Sequence, residues 1–215
     1  KLKFRAWGGI SALNAIISGY GSSMAVSMPV DVTVELSDKT EIVAIDKQLV
    51  EEIMRLIGVQ RCRVMVDSHI PVGMGLKSSS AVSSAVALAL IGLVEGKYDA
   101  DRAVKVSAAA SRNLKISVTG AHDDAYASLL GGIVLTSNAE ERLISRLAAP
   151  DGLSVFIGIP GNKKKTINIE SLRSLKSLGA ELKVLIEEGK WAQAMTINGL
   201  LVASANGYDP FPAIG

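Results

Sequence analysis

From Ala81 to Val94 the chain is apolar on nearly every side of a helix, and it enters that stretch from a glycine-rich turn and three successive serines, Ser78 to Ser80. A helix without a polar face must be covered all round, so this one feature demands further layers of structure on both of its flanks. The uncharged run from Ser78 to Val94 is a little short of the ~20 residues that a membrane span needs, and it reads as a buried helix of a soluble protein. A chain of 215 residues supplies one large domain or one and a half at roughly 150 residues per domain, enough to bury such a helix.

The flanking segments read as the covering layers. Val30, Val32, Val34 and Leu36 alternate with Asp31, Thr33 and Glu35, and Cys62, Val64 and Val66 alternate with Arg61, Arg63 and Met65, the period of a strand with one buried face. Ser37-Asp38-Lys39 reads as a turn. Leu49, Ile53 and Ile57 recur at helical spacing with Gly58 as a C-cap. Residues 99–114 read as an amphipathic helix with Ala103, Val106, Ala110 and Leu114 inward, followed by a short helix from Asp123 to Leu130 and a strand from Ile133 to Thr136. Leu153 to Ile159 reads as another buried strand, and Pro150-Asp151-Gly152 before it as a domain boundary. Beyond it, Leu172, Leu175 and Leu178 form a stripe ended by Gly179, and Trp191 to Ala205 a last helix ended by Asn206-Gly207. The pattern is α+β, with a mixed sheet first and helices dominating the end.

Composition narrows the function classes. Lys and Arg number 23 against 21 Asp and Glu, too even a balance for a dedicated nucleic-acid binder. The lone cysteine, Cys62, permits no intrachain disulfide or zinc cluster and favours a reduced, cytoplasmic setting; it reads as a small core residue. Ala6 to Val30 is uncharged, yet its glycines, serines and Pro29 interrupt any apolar run, which argues against a signal peptide or membrane contact. That stretch, with Trp7 and Asn14, reads as a flexible backbone suited to wrapping a ligand.

Pro71-Val72-Gly73-Met74-Gly75-Leu76-Lys77-Ser78-Ser79-Ser80-Ala81 is the strongest chemical signal. Glycines let backbone amides approach a phosphate, and the free amides of a helix start favour negative charge. Lys77 adds a point charge, and the serines add donors or a metal-binding hydroxyl. The plain alternative is a turn with a serine N-cap. Leu76 separates Gly75 from Lys77, so this is not a Walker A loop, and no Gly-x-Gly-x-x-Gly of a dehydrogenase joins a strand to a helix. In Thr119-Gly120-Ala121-His122-Asp123-Asp124, one carboxylate could accept the proton of an attacking hydroxyl, or the pair could cap a helix. His122 reads as surface or capping material, His69 has no partner at metal-ligand spacing, and Lys163 to Lys165 read as a solvated loop.

The turn from Gly75 to Ala81 after Ile70-Pro71 resembles the second signature motif of the GHMP kinases, the superfamily of galactokinase, homoserine kinase, mevalonate kinase and phosphomevalonate kinase. Its Leu76-Lys77-Ser78-Ser79-Ser80 form is most similar to the archaeal-type shikimate kinases. Asn14-Ala15-Ile16 through Gly19-Tyr20-Gly21-Ser22, Val118 through Ala125, and Asn198-Gly199-Leu200-Leu201 through Gly207-Tyr208-Asp209-Pro210 agree, so the similarity spans nearly the whole chain. The resemblance implies a GHMP-kinase-like two-domain α+β fold, mixed sheets packed with helices. Residues 1–150 would be the N-terminal ATP-binding domain and 151–215 part of the C-terminal domain, with the family's third glycine-rich motif not reached before Gly215.

It also implies transfer of the ATP γ-phosphate to the 3-hydroxyl of shikimate, in aromatic amino-acid biosynthesis, with ATP and magnesium as cofactors. Pro71 to Ala81 would wrap the ATP phosphates, with Ser79 on the magnesium side. Relatives carry the catalytic Asp seven residues before a Gly-Gly turn; counting back from Gly131 gives Asp124 as base, with Asp123 supporting. Many carry a magnesium-binding Glu where this chain has Asn113, and a Pro where it has Trp7-Gly8-Gly9. Lys77, Arg112 and Lys163 are the candidates to meet the substrate carboxylate. The rival readings are a homoserine or mevalonate-type kinase, or a nucleotide-binding protein without catalysis.

Overall fold

The computed structural model of the chain describes residues 1–158 and 167–208. In chain order its first half comprises β1 (Leu2–Leu13), α1 (Ala15–Ser18), β2 (Tyr20–Leu36), β3 (Glu41–Val43), α2 (Lys47–Ile57), β4 (Cys62–Ser68) and α3 (Ser78–Glu95). Then come α4 (Ala100–Asn113), α5 (His122–Leu130), β5 (Ile133–Ser137), β6 (Arg142–Leu147), α6 (Ile169–Arg173), α7 (Lys176–Glu187) and α8 (Trp191–Ala205).

The strands form one mixed sheet of six, ordered β3-β4-β2-β5-β6, with β1 also on β2. The 17-residue β2 organises it. One edge pairs antiparallel with β1, from Leu2 opposite Val34 to Leu13 opposite Ser22. The other edge is shared: Tyr20 to Met24 pair with β5 and Val30 to Leu36 with β4. The alternating valines of β2 and β4 put Val30, Val32, Val34, Cys62 and Val64 on the buried face, where α3 lies.

The all-apolar α3 is the centre of the core, in contact with β1 and β2 on one side and with α2, α4 and α5 on others. It is long and apolar enough to cross a membrane, but two thirds of it is buried within the protein. Its serines are accommodated by local bonds: the Ser83 and Ser107 hydroxyls lie 2.5 Å apart and Ser84 Oγ donates to the Ala81 carbonyl. Asp46 and Asp99 cap α2 and α4 by accepting from the Leu49 and Arg102 amides, and Gly58 ends α2 at φ +86°. A second apolar cluster joins Leu13 and Leu135 of the sheet to Leu182, Ile186 and Ala194 of α7 and α8.

Three sequence expectations are corrected. The uncharged N-terminal stretch is not a flexible wrap but two long paired strands. Residues 153–158 form no strand, and Phe156 is 94% exposed; Leu153, Val155 and Ile157 instead line a hollow with Met24 to Met28 of β2, a use of apolar side chains that needs no strand pairing. Gly179 does not end a helix: it lies inside α7, where an added Cβ would sit 2.7 Å from Ile17 Cγ2 and Ser18 Oγ, so it lets α7 approach α1. On α4 the expected stripe faces inward: Ala103 and Ala110 are buried, Val106 and Leu114 pack against the same core, and Val104, Ser107 and Ala108 widen that face. The loop at 159–166, with Lys163 to Lys165, and the end of the chain from Asp209 lie outside the described residues.

Candidate active site

The glycine-rich turn runs from Pro71 to Lys77 between β4 and α3. Gly73 and Gly75 both have φ +77°, and Lys77 is left-handed at φ +66°, a conformation costing a non-glycine residue on the order of 1–2 kcal/mol. What holds it is β1. The Gly9 amide donates to the Leu76 carbonyl at 3.1 Å, and a Cβ on Gly8 would stand 3.2 Å from that same oxygen. Leu76 is buried and anchors the turn, while Val72 to Gly75 and Ser79 are exposed, Ser78 is half-buried and Ser80 is buried. Lys77 sits at the N-cap of α3 without a side-chain cap bond, so the first amides of the helix are left for an outside acceptor.

Lys77 reaches from this turn to the start of α5, its Nζ 3.0 Å from Asp124 Oδ1. Burial works to lower the Lys77 pKa, but Asp124 and Asp123 together outweigh it and hold the ammonium above the usual lysine value. Gly120 at φ +81° and Ala121 at φ +53° bend the chain into α5, and both aspartates are buried. Ser23 Oγ lies 2.5 Å from Asp124 Oδ1 and 3.0 Å from Asp123 Oδ2. A hydroxyl has one hydrogen. Donated along the shorter contact to Asp124, it leaves Ser23 an acceptor toward Asp123, a role that suits a protonated Asp123. Consistently, burial first and the Asp124 carboxylate second push the Asp123 pKa up to about 7, against the opposing pull of Lys77, Asn138 and Ser23.

Asp123 is held from behind. Asn138 Nδ2 donates to Asp123 Oδ1 at 3.3 Å, and Thr136 Oγ1 has the Asn138 Oδ1 at 2.6 Å and the Gly21 carbonyl at 3.2 Å. A Cβ on Gly21 would fall 2.5 Å from Asp123 Cγ and Oδ1, so only glycine admits the carboxyl there.

Two hollows flank this network. One, of about 550 Å³, is lined largely by apolar groups, among them Val66, Val72 and Val82, with Ser78 and Ser79 at the turn. The other, of about 530 Å³, is polar and is lined by Thr119, Asn138, Arg112, Glu141 and Arg173, with Ala15 and Ile16 of α1.

The structure thus joins Lys77, Asp123 and Asp124, which lie far apart in sequence, and puts Ser78 and Ser79 at the mouth of a hollow. Lys77 is engaged with Asp124 rather than open to a substrate carboxylate. Arg112 lines the polar hollow, its Nη2 donating to Glu141 Oε1 at 2.7 Å. Asn113 is exposed and donates instead to Glu52 Oε1, so it stands away from the aspartates. His122 is not a surface group: it is fully buried, kept neutral chiefly by that burial, and its Nε2 is 3.9 Å from Glu141 Oε1. Sequence reading missed Ser23, Thr136, Asn138 and Gly21 as parts of the site. Only the Gly21-Ser22-Ser23 run beside the first strand turn carried any signal.

Residues 44–132 match the family model described as the GHMP kinases N terminal domain. The shikimate kinase of Methanothrix thermoacetophila is 32% identical over 222 residues, covering 97% of this chain and 76% of the relative. The chain belongs to the GHMP kinases, in the shikimate kinase family. The shikimate kinase of Pyrococcus abyssi is 31% identical to this GHMP kinase over 232 residues, with 97% and 81% covered. Among solved structures, the phosphomevalonate kinase of Streptococcus pneumoniae superposes with TM-score 0.65 at 17% identity, covering 98% of this chain and 82% of that one. The mevalonate kinase of Methanococcus jannaschii gives 0.64 at 12% identity, with 95% and 79% covered. The α+β arrangement of this kinase is therefore the GHMP kinase fold.

Proposed function

We propose that the chain transfers the γ-phosphate of ATP to the 3-hydroxyl of shikimate, giving shikimate 3-phosphate. The observation that carries this reading is the Lys77–Asp124 pair, set between an exposed glycine-rich cradle and a separate polar hollow. The nucleotide's phosphates take the cradle, with the exposed amides and hydroxyls of Pro71 to Ala81 as donors, and its base takes the apolar hollow beside Ser78 and Ser79. The acceptor takes the polar hollow.

Asp124 orients the acceptor hydroxyl and accepts its proton as the phosphoryl group leaves ATP. Lys77 compensates the charge of Asp124 and faces the phosphates through the turn it terminates. Phosphoryl transfer is mostly positioning and charge stabilisation, and the bonds from Ser23 and Asn138 fix the carboxyls against a rigid sheet. Magnesium, when bound with ATP, would neutralise charge on the β- and γ-phosphates. Such ions often take only one or two protein oxygens beside phosphates and water; the Ser79 hydroxyl, at the mouth of the nucleotide hollow, suits that, and Asp124 is the nearest carboxylate of the pair to the turn. Residues 1–150 serve as the nucleotide-binding domain, and 151–215 as part of a second domain whose helices α7 and α8 pack against the sheet.

The test is turnover with shikimate, homoserine and mevalonate side by side, with products identified by phosphorus NMR. Shikimate 3-phosphate is the expected product. Phosphorylation of either other acceptor with none of shikimate would overturn the reading, and no ATP-dependent turnover of any of them would favour a nucleotide-binding protein instead.

A further inference from the structure

The polar hollow carries three charged side chains, Arg112, Glu141 and Arg173. Two of them cancel, because the Arg112 guanidinium is bonded to Glu141 at 2.7 Å. Arg173 has no ion pair or side-chain hydrogen bond among the described residues. The hollow therefore presents one uncompensated positive charge, and Asn138, which donates to Asp123, lines the same hollow.

Arg173 is also held in position. It lies in the last turn of α6, next to Leu172, which is fully buried. The Asn168 side chain caps the start of α6 by accepting from the Ser171 amide, and the Asn168 amide donates to Asn206 Oδ1 at the end of α8 at 2.8 Å. A five-residue helix tied at its start and pinned by one core leucine presents its arginine from a fixed base.

We propose that Arg173 is the specificity-determining anchor of the acceptor site, binding the carboxylate of a hydroxylated monocarboxylic acid while its hydroxyl is turned toward Asp124. The inference rests on the kinase reading above and names the residue that selects an anionic acceptor. A guanidinium presents a planar fork matched to a carboxylate, and one net positive charge suits a monoanion better than a neutral sugar or a dianion. Glu141 sharpens the choice: by holding Arg112 it keeps the second guanidinium from drawing the carboxylate to the wrong end of the hollow.

Two measurements test it. Shikimate binding is followed by titration calorimetry with a non-hydrolysable ATP analogue present, and turnover is measured with shikimate and with its methyl ester. Loss of one charge-assisted bond pair weakens binding about 10- to 100-fold. R173Q is expected to weaken shikimate binding and raise its KM by that factor, with KM for ATP within about twofold. It should also lose most of the discrimination between acid and ester. R173K, which keeps the charge, should recover part of both. Wild-type affinity and ester discrimination in a folded R173Q would overturn the assignment while leaving the kinase reading intact; so would their loss in R112Q but not in R173Q. Binding of shikimate that depends on Arg173 without any phosphorylation would sustain the anchor and overturn the kinase reading.

Discussion

Replacing Asp123 by Asn makes a sharp test of how the site holds its charges. Asparagine keeps the shape: its Oδ1 can still accept from Asn138, and its Nδ2 can donate to Ser23 Oγ, which then passes its own hydrogen to Asp124. If Asp123 is protonated in the native protein, as suits the single Ser23 hydrogen, the variant copies the acid form and differs from wild type only where the wild-type carboxyl, folded or unfolded, ionises. The native carboxyl titrates near 7 against an ordinary value of 3.8. Between those values the native state holds a proton that the unfolded chain has released, so wild-type stability falls as pH rises through that window and levels off above it. At about 1.4 kcal/mol per pH step the whole window is worth about 4 kcal/mol, of which roughly 2 to 3 kcal/mol falls between pH 5 and pH 8. Other titrating groups are common to both proteins and cancel in the difference. Urea unfolding followed by tryptophan fluorescence at several pH values measures it: the stability difference in favour of D123N should widen by that margin between pH 5 and pH 8. A gap that is constant with pH would refute the argument, and so would one that shifts toward wild type as pH rises. Either would mean that Lys77 and Asn138 hold Asp123 ionised beside Asp124.

Further outcomes follow from the same contacts. Asp124→Asn should lower kcat by about 10²- to 10⁴-fold, the usual worth of a positioned proton acceptor, and should lower the melting temperature because Lys77 loses its 3.0 Å partner. Gly21→Ala should cost about 1–3 kcal/mol of stability and depress kcat together with it, since its Cβ would stand 2.5 Å from Asp123; Gly58→Ala, an open position at φ +86° outside both hollows, is the control for strain alone. Ser79→Ala should raise the magnesium concentration needed for half-maximal rate while leaving the unfolding midpoint nearly unchanged, because Ser79 is exposed. Cys62, whose burial pushes the thiol pKa up, should react with a thiol reagent only in denaturant.

The elements that could be read from sequence are mostly those whose pattern is set by one neighbour. The α2 stripe with its Gly58 cap and the alternating valines of β2 and β4 each answer to a single buried face, and the unbroken apolar α3 is as plain because it is covered on every side. β1 was hidden because its alternation breaks off: Leu2, Phe4 and Ala6 face the core, but Gly8 and Gly9 follow and admit the backbone of the turn at Leu76 instead of filling a core. Residues 153–158 misled for the converse reason, their apolar side chains lying beside β2 without pairing as a strand. In the candidate site, the glycine-rich turn and the adjacent Asp123 and Asp124 stood out because each is a run of neighbouring residues, and the preference for Asp124 came from the resemblance. Ser23, Asn138 and Gly21 did not stand out, since what they do depends on partners up to 102 residues away.

The bond from the Asn14 amide to Asn198 Oδ1 spans 184 residues, and Asn14 in turn caps α1 by accepting from the Ile16 amide. Ala15 and Ile16 are part of the floor of the polar hollow. The turn at Leu76 is thus docked on β1 by segments that end with α3, while the floor of the polar hollow is tied down through α8, near the far end of the described residues. Loosening α8 should therefore disturb the polar hollow while leaving the glycine-rich turn in place.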